Sequence, residues 1–148
     1  MVVFGIVNQM VVVENLVCGD GDNVMLLNEV YDNSGIDGID NKAAFERLPV
    51  VLKYFVETQQ KLLCNKVKNK VISEYGQKGL DDLVKSSGFR SHRTNLRHGG
   101  VADSLHLFGC AADFLKIGIF KDKPIPVCCN LEVIDSGQCW HVQFKRGN

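Results

Sequence analysis

Ser87-Gly-Phe-Arg-Ser-His-Arg-Thr-Asn-Leu-Arg-His-Gly-Gly-Val-Ala-Asp-Ser-Leu-His106-Leu-Phe-Gly-Cys-Ala-Ala-Asp113 is the stretch on which the reading of this chain turns. His106 and Asp113 stand seven residues apart, and the residues between them, Leu107 to Ala112, are small or apolar. That is the composition of a ligand pair set into a wall of the core. Zinc takes imidazole nitrogen and carboxylate oxygen, and a catalytic zinc usually has three protein ligands and one open position. A third ligand is therefore expected elsewhere. His92 and His98 lie in a polar, arginine-rich run, whereas His141 sits in Cys139-Trp-His-Val-Gln-Phe144, which alternates like a strand. His141 is the expected third ligand.

The stretch resembles the zinc D-Ala-D-Ala carboxypeptidase family of peptidoglycan peptidases, whose fold is shared with the signalling domain of hedgehog proteins. The resemblance is carried by Ser87-Gly88-Phe89-Arg90-Ser91, Asn95, Gly99-Gly100, Ser104-x-His106-x-x-Gly109-x-Ala111-x-Asp113 and Trp140-His141, in order and at matching spacing. It covers roughly the last half of the chain. It implies Zn2+ held by His106, Asp113 and His141, and a peptidoglycan stem or cross-bridge peptide as substrate. The expected activity is amide hydrolysis by zinc-activated water, as a D,D-carboxypeptidase or an endolysin-type endopeptidase. By the same resemblance Arg90 holds a substrate carboxylate or the scissile carbonyl, and Ser104 contributes a hydrogen bond in the substrate cleft.

The resemblance leaves the catalytic base open. Many of these peptidases carry the acid three residues before the last ligand, where this chain has Gln138, and an amide cannot act as a base. In the hedgehog-like variant the acid lies six residues before the last histidine, which is Asp135 here. Asp135 is therefore the first choice and Glu132 the second. Asp135 also suits ordinary turn chemistry. Gln138 keeps a second function in view, a zinc-stabilised binding module of the same fold without catalysis.

The rest of the chain sets bounds. At 148 residues it is of single-domain size and can bury one core, so residues 1–148 are read as one zinc peptidase-like domain, with 1–40 an N-terminal β-rich extension. Seventeen basic residues balance seventeen acidic ones, which argues against nucleic acid or an anionic membrane as partner. Six cysteines occur without a C-x-x-C, and Cys128 and Cys129 are adjacent, so they are read as reduced thiols and not as a zinc knuckle or a disulfide framework. Met1 to Cys18 is apolar but has no Lys or Arg, and Asn8-Gln9 interrupts it. It reads as two strands around a turn, not a signal peptide. No stretch is long enough to span a bilayer. The expected protein is soluble, either cytoplasmic or phage-encoded and released to the cell wall.

Going along the chain, Gly19-Asp-Gly-Asp-Asn23 and Asp32 to Asn41 read as polar connections. The second fails the calcium-loop template, because Ile36 and Ile39 stand where oxygen ligands belong. A helical pattern follows from Asp40 or Asn41, with Phe45, Leu48, Leu52, Phe55 and Val56 on one stripe and Pro49 dividing a short lead-in from a longer helix. The longer helix runs through Leu62, Leu63 and Val67, with Lys61, Lys66, Lys68 and Lys70 expected on a solvated face. Gly76 and Gly79 punctuate. Strands are expected at Ala111–Phe114, Ile117–Phe120, Val127–Ile134 and Gln138–Lys145, the last two joined through Asp135-Ser-Gly137. Alternation in the last places Trp140, Val142 and Phe144 on one face and His141 with Gln143 on the other. The fold class is α+β, an antiparallel sheet with flanking helices.

Overall fold

The structure is a computed structural model, and it describes residue 36 and residues 38–146. The hairpin expected at residues 1–18 and the turn at 19–23 lie outside the described residues. Two helices come first, α1 (Ile39–Glu46) and α2 (Val50–Asp82), then β1 (Lys85–Ser87) and the short α3 (His92–Arg97). A 3-10 turn (Leu105–Phe108) leads into β2 (Ala111–Leu115), and a second (Gly118–Lys121) follows it. The chain ends in the hairpin β3 (Leu131–Asp135) and β4 (Cys139–Phe144). The strands form one antiparallel sheet in the order β1-β2-β4-β3. This is the expected α+β architecture.

Pro49 stands as N-cap of α2, one position outside the first turn, because its fixed φ of −55° is combined with an extended ψ of 148°. The helix then carries Phe55, Leu62, Leu63, Val67 and Val71 onto one face of the sheet, where they meet Ala112, Phe114, Val142 and Phe144. Removing a side chain such as Leu63, wholly buried, would cost about 2–5 kcal/mol. Gly76 interrupts the helix with φ 66° and ψ −152°, a conformation open to glycine alone, so the last turn sets off in a new direction. A second cluster, Ile36, Phe45, Val56 and Phe89, ties α1 to the loop after β1.

Three expectations are corrected, and one strand was not foreseen. The N-cap of α1 is Gly38, and Asp40 and Asn41 lie inside the helix, where they pair outward. Asp40 takes an ion pair from Arg97 at 3.1 Å, and the Asn41 side chain accepts from Ser91 N at 2.8 Å. Lys61 is buried, not on a solvated face. Ile117–Phe120 is not a strand: Gly118 takes φ 56° and opens a 3-10 turn whose Phe120 fills the core. Lys85–Ser87 is a strand that no apolar alternation announced. Among the described residues, no helix is long and apolar enough to cross a membrane.

Candidate metal centre

The three expected ligands arrive from three neighbouring elements. Ser104 caps the 3-10 turn by accepting a hydrogen bond from His106 N at 3.2 Å, which fixes the backbone that carries His106. Gly109 ends that turn with φ 75°, and a Cβ there would stand 2.5 Å from Val56 O of α2, so only glycine lets the chain pass the helix and enter β2. Asp113 is the middle residue of β2 and pairs directly with His141 of β4. Side chains of paired residues leave the same face of a sheet, so the register itself brings the carboxylate and the second imidazole together.

His106 Nε2 lies 3.5 Å from Asp113 Oδ2, and His141 Nδ1 lies 2.9 Å from Asp113 Oδ1. One donor atom from each of the three residues falls within 4.8 Å of the others. Tetrahedral zinc with ligands near 2.0–2.2 Å needs donors about 3.4 Å apart, a small readjustment of this arrangement. The donor set, two imidazoles and a carboxylate, suits zinc, and its outer partners are in place. His106 Nδ1 faces Gly88 O at 2.8 Å; a carbonyl only accepts, so Nδ1 holds the proton and Nε2 offers its lone pair to the cluster. The residues present fit the metal.

The electrostatics agree. His106 is 2 % exposed, and burial pushes its pKa down, partly offset by Asp113, so the ring is held neutral as a ligand must be. Burial pushes the Asp113 carboxyl up, but the neighbouring imidazoles of His106 and His141 outweigh it and hold the group well below the usual carboxylate range. Burial also acts to lower the His141 pKa, yet hydrogen bonds to Asp113 and Gln143 raise it above the ordinary value.

The cluster sits in a cleft of about 620 Å³. Arg90, Ser104, Gln138, Cys139 and Arg146 line it with His98 and the Gly99-Gly100 loop. Gly99 takes φ 70°, whereas Gly100 is needed for space: a Cβ there would collide with Asn95 Oδ1. Asn95 in turn donates to Val101 O at 2.9 Å, so these three motif residues shape one wall. Arg90 is buried and already engaged, its Nε donating to Ser87 Oγ at 2.9 Å and its NH2 to Asp113 Oδ2 at 2.8 Å. The sequence offered Arg90 as a substrate clamp and gave no sign of this bond to the metal carboxylate.

Asp135 is not brought to the cluster. It pairs with Trp140 across the hairpin, one residue out of phase with His141, and so leaves the sheet on the opposite side. Its carboxylate, 59 % exposed, is bound to Lys116 Nζ at 2.6 Å and accepts from Gly137 N at 2.9 Å. Glu132 pairs with Gln143 on the His141 face and is hydrogen-bonded to it at 2.7 Å. Among the described residues that line the cleft, Asp113 is the only carboxylate.

In this α+β domain the His-Asp-His cluster lines an open cleft and offers three donors that could hold a metal ion beside room for a substrate. Residues 32–143 match the family model described as Peptidase M15, and the chain belongs to that family, the zinc D-Ala-D-Ala carboxypeptidase-like peptidases. Searches of curated proteins and of solved structures found no match.

Proposed function

We propose that this protein is a zinc metallopeptidase that hydrolyses an amide bond in the stem or cross-bridge peptides of peptidoglycan, with His106, Asp113 and His141 as ligands. The single observation that carries the reading is the convergence of those three donors at the foot of the cleft. The substrate class rests on the family alone. Bound there, zinc supplies an activated water and polarises the scissile carbonyl.

The chain's own residues then have separable tasks. Arg90 aims Asp113, its permanently charged guanidinium donating to Oδ2 while its Nε is held by Ser87. Gly88 O holds the His106 tautomer. Ser104 shapes the His106 turn and stands in the cleft wall, where a peptide would pass it. Arg146 and His98 offer cationic or donor groups at the cleft for a peptide carboxylate or carbonyl. Asp135, the first choice for the base, has the wrong face of the sheet for that role, and Gln138 occupies the cleft where the family's acid would stand.

That last observation favours a second reading, a zinc-stabilised binding module. Zinc content of the purified protein, with release of peptides from purified peptidoglycan in the presence and absence of chelator, decides between them. Near-stoichiometric zinc with chelator-sensitive release supports the peptidase. Stoichiometric zinc without release supports the binding module, and absence of zinc would overturn both.

A further inference from the structure

A chain of side-chain hydrogen bonds runs from β3 through Gln143 to His141. Glu132 of β3 stands directly opposite Gln143 of β4, two residues from His141 and on the same face. Gln143 Nε2 donates to Glu132 Oε2 at 2.7 Å, and Gln143 Oε1 lies 2.8 Å from His141 Nε2. These contacts have a polarity. A carboxylate only accepts, so the amide must turn its NH2 to Glu132 and its oxygen to His141. An amide oxygen only accepts as well, so His141 Nε2 must carry a proton. By the same rule the Asp113 carboxylate, whose Oδ1 lies 2.9 Å from Nδ1, takes a hydrogen bond from that nitrogen, and the Nδ1 proton beside Asp113 is the one a metal would displace.

We propose that Glu132 is a positioning residue that, acting through Gln143, keeps His141 Nε2 protonated and so reserves Nδ1 for the metal. The two histidine ligands are thereby set in opposite senses. His106 gives Nε2 because a backbone carbonyl holds Nδ1, and His141 gives Nδ1 because a side-chain relay holds Nε2. The backbone carbonyl cannot be inverted by a point mutation, whereas the relay can. The proposal rests on the metal-centre reading for its functional consequence but not for its geometry.

The test uses the full chain as wild type, Glu132→Gln, Glu132→Met and Glu132→Lys. Zinc affinity is measured by competition with a chromophoric chelator, and the His141 ring N–H is followed by nitrogen-15 NMR with and without zinc. Glutamine can still accept from Gln143, so E132Q keeps affinity near that of the wild type and keeps the Nε2–H signal. Methionine removes the acceptor, and E132M weakens zinc binding about 10- to 100-fold, the range for loss of a ligand's outer partner. Lysine donates to the amide oxygen and turns Gln143 over, so E132K loses the Nε2–H signal and binds zinc more weakly than E132M.

Unchanged zinc affinity and an unchanged Nε2–H signal in both E132M and E132K would overturn the relay. Should E132M fail to fold, Gln143→Leu removes the same link from the partner strand and is expected to give the same weakening; wild-type affinity in that variant overturns the relay too. A wild type that binds no zinc, yet loses its Nε2–H signal in E132K, supports the relay and overturns the metal reading.

Discussion

The two faces of β4 are built from alternate residues of one six-residue strand, yet they obey different rules. Trp140, Val142 and Phe144 face α2 and the second 3-10 turn; Val142 and Phe144 are wholly buried, and Trp140 Nε1 donates to Phe120 O at 2.7 Å. Cys139, His141 and Gln143 line the cleft, and His141 and Gln143 there are held by directed hydrogen bonds to Asp113 and Glu132. The first face is governed mainly by volume and apolarity, with the Trp140 indole donating its directed bond. The second depends on which atom of each side chain donates and which accepts. The comparison shows how one strand can serve as structural wall and as ligand carrier, with the pleat keeping the two duties apart.

The largest effect that would sharpen this contrast is on metal. His106→Ala removes a ligand while leaving the apolar face intact, and we expect a folded protein that retains no zinc after dialysis; stoichiometric zinc in that variant would break the site. On the other face, Phe144→Ala should destabilise the fold by about 3–5 kcal/mol, read as a shift in the denaturant midpoint, without altering the zinc donors. A smaller change tests the cleft's missing carboxylate. Gln138→Glu places an acid beside the cluster, and if proton abstraction limits hydrolysis the rate of peptide release should rise about 100-fold, within the range for general-base catalysis.

Below these comes a pH effect confined to the cleft face. Because hydrogen bonds to Asp113 and Gln143 raise the His141 pKa despite its burial, a proton competes for Nδ1 with any metal. Zinc affinity should therefore fall about tenfold per pH unit once the pH drops below that pKa, and level off above it. A pH-independent affinity measured from pH 5 to 8 would remove His141 from the ligand set. The smallest effect concerns the hairpin. Asp135→Ala breaks the exposed, solvent-screened ion pair with Lys116 and should leave both stability and peptide release almost unchanged. A loss of hydrolysis with zinc retained would restore Asp135 as the base and break the separation of the two faces.

The fold class and the candidate donors were legible in the sequence, and the elements between them less so. His106, Asp113 and His141 announce themselves because ligand chemistry admits few residue types and because the intervening residues are apolar. The alternation about His141 sufficed to assign its face. Where Asp135 lies was not legible for a definite reason: an offset of six residues from His141 counts chain length, whereas a hairpin decides by parity and turn geometry which side a carboxylate leaves. Lys85–Ser87 escaped notice because a three-residue edge strand carries no periodicity, and its pairing is supplied by β2. Ile117–Phe120 had the composition of a strand, but Gly118 at positive φ turned it into a 3-10 segment. Lys61 shows the converse limit, since the helix alone does not say what covers its far side. The Arg90–Asp113 contact joins residues 23 positions apart and follows only from the sheet.

The direct pairing of Asp113 with His141 also bears on how the chain reaches its final form. Sliding β4 along β2 by a single position would send His141 to the apolar side and bring Trp140 or Val142 opposite Asp113. Such a misaligned sheet could keep many of its backbone bonds, but it would hold no metal. Zinc taken up during folding would then stabilise the correct alignment alone, by mass action on the one population that can bind it. In that sense the ion would act as a gauge of strand alignment before it acts on any substrate.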